Sequence, residues 1–465
     1  MTTLSNAATT PNIFVKLSDV AELIRGVTYK KEQARETPGP GYLPVLRANN
    51  IQDSTLNVES ELVYVPEDNV GSAQRLRAGD IVVAMSSGSK HLVGKSAIVL
   101  RSWNGSFGAF CAAIRPRVSI DARYLAAYLQ SPGYWRVIRE KALGVNINNL
   151  RRGDLEALDV PLPPLQAQQE IAAEIDKQFS RLDEAVANLK RVKANLKRYK
   201  AAVLKAAVEG RLVPTEAELA RKEGRDYETG EQLLQSILKT RRKESKGKSK
   251  YTESAASQVA QHDPLPTGWA VATIGECFHV AVGATPSRKE PAYWGGDIPW
   301  VSSSEVQFGR VKDTREKISR LGHENSSTQL NPAGSVLIGM IGQGRTRGQS
   351  AILEIDATNN QNCAAIWVSK TRVLPEYVFY WLWHRYSETR GEGSGNNQQA
   401  LNKQLVERIP LPLPPLAEQR RMVSEVERLF SIAQFSERLV DANLARTNVL
   451  HSAVLGRAFS SVAAR

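Results

Sequence analysis

The loop at residues 86–96, SSGSKHLVGKS, carries the residue types most suggestive of catalysis. It follows the β-branched run Ile81-Val82-Val83-Ala84 and ends in Gly94-Lys95-Ser96. A phosphate-cradling loop needs a glycine five positions before that second glycine, so that backbone amides and the lysine can wrap the phosphates at a helix start. Ser89 occupies that position, Gly88 lies one residue too far away, and the Ala97-Ile98-Val99-Leu100 that follows is strand-like. A polar, glycine-rich loop facing a partner is the better reading.

Other catalytic patterns fail on single residues. An adenine methyltransferase loop needs Asn/Asp-Pro-Pro-aromatic, and Asn331-Pro332-Ala333 lacks the second proline and the ring. Leu182-Asp183-Glu184-Ala185-Val186 has valine where a helicase box needs its second aspartate. The acid-x-Lys of a metal-dependent nuclease occurs at Glu244-Ser245-Lys246, inside a low-complexity stretch. The six histidines (91, 262, 279, 323, 384, 451) show no ligand spacing, and no metal site is expected. Cys111, Cys277 and Cys363 are too few and too scattered for a disulfide scaffold or a four-cysteine zinc site, which fits a reducing cytoplasm.

Recognition chemistry is better represented. The first half contains Arg25, Thr28, Tyr29, Lys30 and Lys31; Arg47, Asn49 and Asn50; Ser86, Ser87, Ser89, Lys90 and Lys95; and Asn146, Asn148 and Asn149. The second half contains Thr285, Ser287, Arg288 and Lys289; Ser302, Ser303 and Ser304; Gln343, Arg345 and Arg347; Asn359 and Asn360; and Asn396, Asn397 and Gln398. Arg and Lys suit phosphates and guanine edges, Asn and Gln suit adenine, and Gly and Ser let a loop approach a duplex closely. These are the candidate DNA-binding residues. The charge agrees: 61 Lys+Arg against 48 Asp+Glu give +13, which favours a polyanionic partner, nucleic acid or an anionic membrane surface. The start, MTTLSNAATTPN, has no signal-peptide pattern, and the apolar stretch at Val378–Trp383 is far short of the roughly 18 residues of a membrane span.

The elements that must position these residues are written twice. PLPPL occurs at residues 161–165 and again at 412–416, a shift of 251 positions. In that register Gln168, Glu174 and Phe179 fall on Gln419, Glu425 and Phe430. Upstream, Cys111-Ala-Ala-Ile114 recurs as Cys363-Ala-Ala-Ile366, and GDIVVAM (79–85) as GSVLIGM (334–340). After each PLPPL the apolar residues take 3/4 spacing: Leu182, Val186, Leu189, Val192, Leu196, Tyr199 and Val203, then Val423, Val426, Phe430, Ala433, Val440 and Leu444. From Gln166 to Val208 this predicts a helix roughly 65 Å long at the usual rise per residue, and coiled-coil pairing is its natural use. The globular parts read as α/β, with short strands at Ile81–Ala84, Ala97–Leu100, Ser335–Ile338 and Ala351–Leu353. Residues 239–250 hold seven Lys/Arg and one acid, and with the Ser/Ala/Gln/Pro-rich stretch that follows they read as a flexible linker.

This arrangement resembles the specificity subunit of type I restriction–modification enzymes. Leu165-Gln166-Ala167-Gln168 and Leu416-Ala417-Glu418-Gln419 match that family's PPLxEQ junction, with Ala167 where Glu is usual. Leu265-Pro266-Thr267-Gly268-Trp269 resembles its LPxGW opening, which the first half lacks. The stretches 23–34, 84–90, 93–97 and 106–111 resemble a subclass in the K branch.

The resemblance implies an α/β protein with a pseudo-two-fold repeat: two target-recognition domains, each followed by a long helix, the helices pairing as an antiparallel coiled coil. The expected boundaries are 1–160 and 265–411 for the recognition domains, 161–212 and 412–465 for the helical spacers, and 213–264 for a flexible basic linker. It also implies a cytoplasmic, non-catalytic subunit in which each domain reads half of a bipartite double-stranded DNA site. Two modification subunits would dock on the helices, with Gln168, Glu174, Phe179, Gln419, Glu425 and Phe430 as candidate contacts, and motor–nuclease subunits would join them. This chain would bind no cofactor; S-adenosylmethionine, ATP and Mg2+ belong to the partners. The competing reading is a duplicated coiled-coil adaptor that binds nucleic acid non-specifically or an anionic membrane.

Overall fold

The structure is a computed structural model, and it describes residues 13–52, 54–87, 92–141, 148–245, 265–342, 345–391 and 401–463. The chain divides into two compact units, Met1–Arg191 with Val440–Arg465, and Val192–Leu439. Both long helices pass from one unit into the other, since they span Leu165–Val208 and Leu416–Ala463.

In the first unit a four-stranded antiparallel sheet runs in the order Ala21–Arg25, Cys111–Pro116, Ile81–Ala84, Ser96–Ile98. Alternation sends Ile81, Val83, Ala112 and Ile114 to one face, where they meet helices Ala122–Tyr128 and Pro132–Lys141. Val82, Ala84, Cys111 and Ala113 go to the other, against Leu46 and Phe107 of a three-stranded sheet, Ser106–Phe107, Tyr42–Leu46, Val63–Pro66. With both faces covered, the strands read as continuous apolar runs rather than alternating ones. The Asp121 side chain starts the first helix by accepting from the amides of Arg123 and Tyr124.

The second unit repeats this plan. Its sheet runs Val280–Val282, Cys363–Ile366, Val336–Gly339, Ser350–Leu353, Gly309–Val311, with Leu337, Cys363 and Ala365 on one face and Val336, Ile338 and Ile366 on the other. The four expected strands are present, Ile81–Ala84 with its expected bounds and the other three with ends shifted by one or two residues. The apolar stretch at 378–383 lies in helix Pro375–His384, mostly buried in this core. The three cysteines are buried core thiols, and burial pushes Cys111 and Cys277 up to about 12.

The PLPPL junction uses the same glutamine and tyrosine contacts in both units. The Gln168 amide donates to the Pro163 carbonyl at 2.8 Å and its oxygen accepts from the Asp121 amide at 2.8 Å. Gln419 does the same with Pro414 at 2.9 Å and the Leu374 amide at 3.2 Å. The Tyr124 hydroxyl donates to the Pro161 carbonyl, and that of Tyr377 to Pro412.

Within each unit the long helices pair antiparallel. In the first, Phe179 packs on His451 at 4.8 Å, while Ala172 and Ile175, earlier on their helix, share a core with the later Leu455 and Phe459. In the second, Lys200 pairs with Glu437 at 2.6 Å, and the later Val203 and Leu204 share a core with the earlier Val426 and Phe430. Val192 and Tyr199 of the expected stripe stay exposed.

The linker reading needs correction. Residues Glu216–Glu223 and Gly230–Ser245 are helices, and residues 246–264 lie outside the described residues. Thr215 and Glu218 form a capping box, and Leu233, Leu234 and Ile237 fill a groove against Trp269 and Ile274. The 3/4 spacing of those apolar residues was the available signal; the neighbouring lysines and arginines obscured it.

A buried polar network ties this helical strap to the second junction. Glu418 accepts from the Trp269 indole at 2.9 Å and from the Glu216 amide at 2.8 Å, and Glu216 pairs with Arg421 at 2.6 Å and Arg225 at 2.7 Å. Burial opposes ionisation of Glu216, but the two arginines outweigh it and hold the carboxyl below its ordinary value. A depressed folded-state pKa contributes stability above the unfolded value and loses it as pH falls through the folded one. Burial raises Glu418, so its contribution has the opposite sign, present at low pH and lost as pH rises through the folded value. Glu216→Gln should therefore destabilise the second unit at pH 7 while losing less stability than wild type on acidification to about pH 4. Urea unfolding at the two pH values checks this.

Candidate nucleic-acid interface

The segment Ser106–Cys111 organises the first unit's polar loops. The Val27 amide donates to the Phe107 carbonyl at 2.8 Å, which lays the Arg25–Tyr29 stretch alongside. Gly26 is required there, because a Cβ would stand 2.1 Å from the Gly108 carbonyl oxygen. The Gly108 amide donates to the Leu46 carbonyl at 2.9 Å, bringing Arg47 to the same edge. The Phe110 carbonyl accepts from the amides of Met85 and Ser86, and Ser86–Ser87 pairs antiparallel with Asn148–Asn149. Four clusters remote in sequence thus meet around one strand connection.

In the second unit Thr358–Cys363 plays this part. The amides of Ala284, Asn360 and Met340 bond the carbonyls of Asn359, Val301 and Asn362, at 2.9, 3.0 and 2.8 Å. The Thr285 hydroxyl meets the Gln361 side chain at 2.5 Å.

Individual candidates fare unequally. Arg25, Thr28, Lys30, Lys31, Arg47, Asn49 and Asn149 are exposed, Tyr29, Ser86 and Lys95 half-buried. Asn49 donates to the Glu61 carboxylate at 2.5 Å, and Arg47 to the Glu61 carbonyl at 3.0 Å. Asn50 is a correction: it is fully buried, accepts from the Arg47 amide, and donates to the carbonyls of Asn57 and Ser60. It holds the loop and cannot reach a base edge. Ser87 and Asn148 are placed by their backbones, while Ser89, Lys90 and Asn146 lie outside the described residues.

In the second unit Ser287, Lys289, Ser304 and Arg345 are exposed, and Thr285, Ser302, Ser303 and Arg347 half-buried. Arg288 is exposed but engaged, forked onto Glu316 and stacked 3.7 Å over the Trp294 ring. Ser302 and Ser304 share a hydrogen bond at 2.7 Å, and Arg347 donates to the Arg390 carbonyl. Asn359 and Asn360 are buried corrections: Asn359 bridges the Asn331 amide and the Asn360 and Cys363 carbonyls, and Asn360 accepts from the Asn362 amide. Gln343, Asn396, Asn397 and Gln398 lie outside the described residues.

Three docking candidates are also internal. Gln168 and Gln419 are fully buried in the junctions, and Phe430 packs edge-on against Tyr380 and Trp383. Phe179 is half-buried on His451, Glu425 is forked onto Arg428, and Glu174 is exposed. Residues that the sequence reading missed are exposed instead. Ile432, Phe435 and Leu439 lie on the face of the second helix opposite Val426, Phe430 and Ala433, and their own 3/4 spacing was the signal. Gln361 and Phe110 were missed at the loop edges.

A family model described as Type I restriction modification DNA specificity domain matches residues 12–198 and again residues 266–440. The chain belongs to this family. It is 30% identical over 450 residues to the type I restriction enzyme EcoKI specificity subunit of Escherichia coli strain K12, covering 96% of this chain and 88% of that protein. The StySPI specificity subunit of Salmonella potsdam is 28% identical over 456 residues, covering 95% and 87%. In fold, the chain is similar to the HsdS subunit from Thermoanaerobacter tengcongensis, with TM-score 0.55 and 16% identity over 96% of each chain. It is also similar to a chain from a study of complex assembly and conformational transition of the type I restriction–modification system, with TM-score 0.63 and 18% identity, covering 98% and 99%. The protein is thus a DNA sequence-specificity subunit of a multi-subunit restriction–modification system and not itself an enzyme. The adaptor reading finds no support. Among the described residues no helix is long and apolar enough to cross a membrane.

Two substitutions separate framework from contact residues. Asn359→Ala should destabilise the second unit by about 1–3 kcal/mol for each buried group it strands, measured by denaturant unfolding. Lys31→Ala should leave stability unchanged and reduce the slope of log binding constant against log salt by about one.

Proposed function

We propose that each unit's recognition domain reads one half of a bipartite double-stranded DNA site, and that the paired helices fix the number of unread base pairs between the halves. The observation that carries this reading is the recurrence of one loop framework in both units, with different side chains on it. Each framework gathers exposed polar and basic residues: Arg25, Lys30, Lys31 and Asn149 in one, Ser287, Lys289 and Arg345 in the other. Two such edges in one chain suit two half-sites of different sequence.

Two modification subunits would dock on the long helices and provide S-adenosylmethionine and the methyl-transfer site. Motor–nuclease subunits would add ATP- and Mg2+-dependent steps, all in the cytoplasm. The exposed Ile432, Phe435 and Leu439 favour docking, since apolar side chains at helical spacing on a face opposite the core suit an apolar partner helix.

Replacing residues 213–411 with the equivalent part of another specificity subunit should change one half-site and leave the other intact, read by mapping methylated motifs in cells that carry the modification subunit. Change in both halves would refute the modular reading. Exchanging 265–411 alone leaves Leu233, Leu234 and Ile237 without their native groove, so that chimaera should be less stable. Separately, Phe435→Glu should weaken association with the modification subunit roughly tenfold or more while leaving the chain folded, because the ring is 56% exposed. Titration of purified subunits measures it.

A further inference from the structure

Met85 and Met340 occupy the same place in the two units. Each amide donates to a carbonyl across the edge, Phe110 in the first unit and Asn362 in the second, both at 2.8 Å. Each methionine carbonyl accepts from the returning chain, the Leu150 amide at 2.8 Å and the Leu401 amide at 3.0 Å. Two side chains flank this joint in each unit: Ser86 and Phe110 in one, Ile341 and Asn362 in the other. Each pair therefore holds one apolar and one polar residue, in opposite order. Phe110 is 68% exposed, its carbonyl bonded into the joint, and Ile341 is 45% exposed, directly after the bonded Met340.

A single exposed apolar side chain needs no explanation. Two at matched joints, each beside an edge of mostly polar and basic side chains, do need one. Among the described residues each side chain keeps a large exposed face at a hydrogen-bonded joint, and that face is open to a ligand outside the unit. On the major-groove edge of a DNA duplex only thymine offers an apolar group, its 5-methyl.

From this geometry we infer that Phe110 and Ile341 are specificity-determining residues, each making the apolar contact to a thymine methyl in its own half-site, while Ser86 and Asn362 beside them present hydrogen-bonding groups. The inference rests on the DNA-reading role and adds to it the chemistry of one contact per half-site. A slight side-chain difference at a fixed joint would thereby give the two domains distinct preferences without altering either framework.

The test uses the full chain assembled with its modification subunits, on duplexes carrying its selected site. Each thymine of a half-site is replaced in turn by uracil, which deletes only the 5-methyl. For the wild type, one uracil position in one half-site should weaken binding roughly fourfold, the value of one methyl group removed from an apolar contact. Phe110→Ala should bind thymine and uracil duplexes equally at that position, and Phe110→Leu should restore the preference. Ile341→Ala should do the same in the other half-site only. Methyl-blind binding at every thymine, a half-site without thymine on either strand, or a preference that survives Phe110→Ala would overturn the inference. So would a uniform loss on all duplexes with Phe110→Ala, the mark of a wedge between base steps. A wild-type complex with no sequence preference at all would overturn the DNA-reading role and this inference with it.

Discussion

The rest of the molecule depends on one buried side-chain amide in each unit. The prolines of a PLPPL segment offer no N–H, so the carbonyls of Pro163 and Pro414 need donors from elsewhere where the chain turns from domain to helix. Gln168 and Gln419 supply the missing donors and use their oxygens to hold the amides of Asp121 and Leu374 at the starts of the helices that cover each sheet. These bonds tie the start of the long helix to the globular domain in each unit. The tyrosines that reach back to Pro161 and Pro412 lock the same corner from the other side.

Much of this was legible because it is periodic or repeated. The duplication set the register, the 3/4 spacing set the two helices, and the β-branched runs set the central strands. Side-chain roles were less legible, for a physical reason. Asparagine serves equally as a base reader on a surface and as a backbone bridge in a buried turn, and a sequence does not distinguish Asn149 from Asn50 or Asn359. Glutamine misled in the same way, with Gln168 and Gln419 read as docking residues although both are interior. Exposed apolar residues such as Phe110 and Ile341 were overlooked because composition makes an apolar residue look like core.

The two junctions differ in more than one respect, and the differences go together. The first unit has Ala167 where the second has Glu418, and no Leu-Pro-x-Gly-Trp motif occurs among residues 1–160. Glu418 is occupied by the Trp269 indole and the Glu216 amide, and neither donor has a counterpart among the first unit's described residues. A carboxylate at position 167 would have neither donor to receive, and a half-buried acid without donors is costly. Alanine there is the consistent residue.

The uncovered side of the second helix bears on how a cell must produce this chain. Ile432, Phe435 and Leu439 project from a helix whose other side already packs in the core, so folding does not hide them. Made in excess over whatever covers that face, the chain would bind its own copies or chaperones there, and it would be a preferred target for proteolysis. With a partner covering that face, as proposed above, a matched supply of the two would protect the chain and a surplus would not be protected.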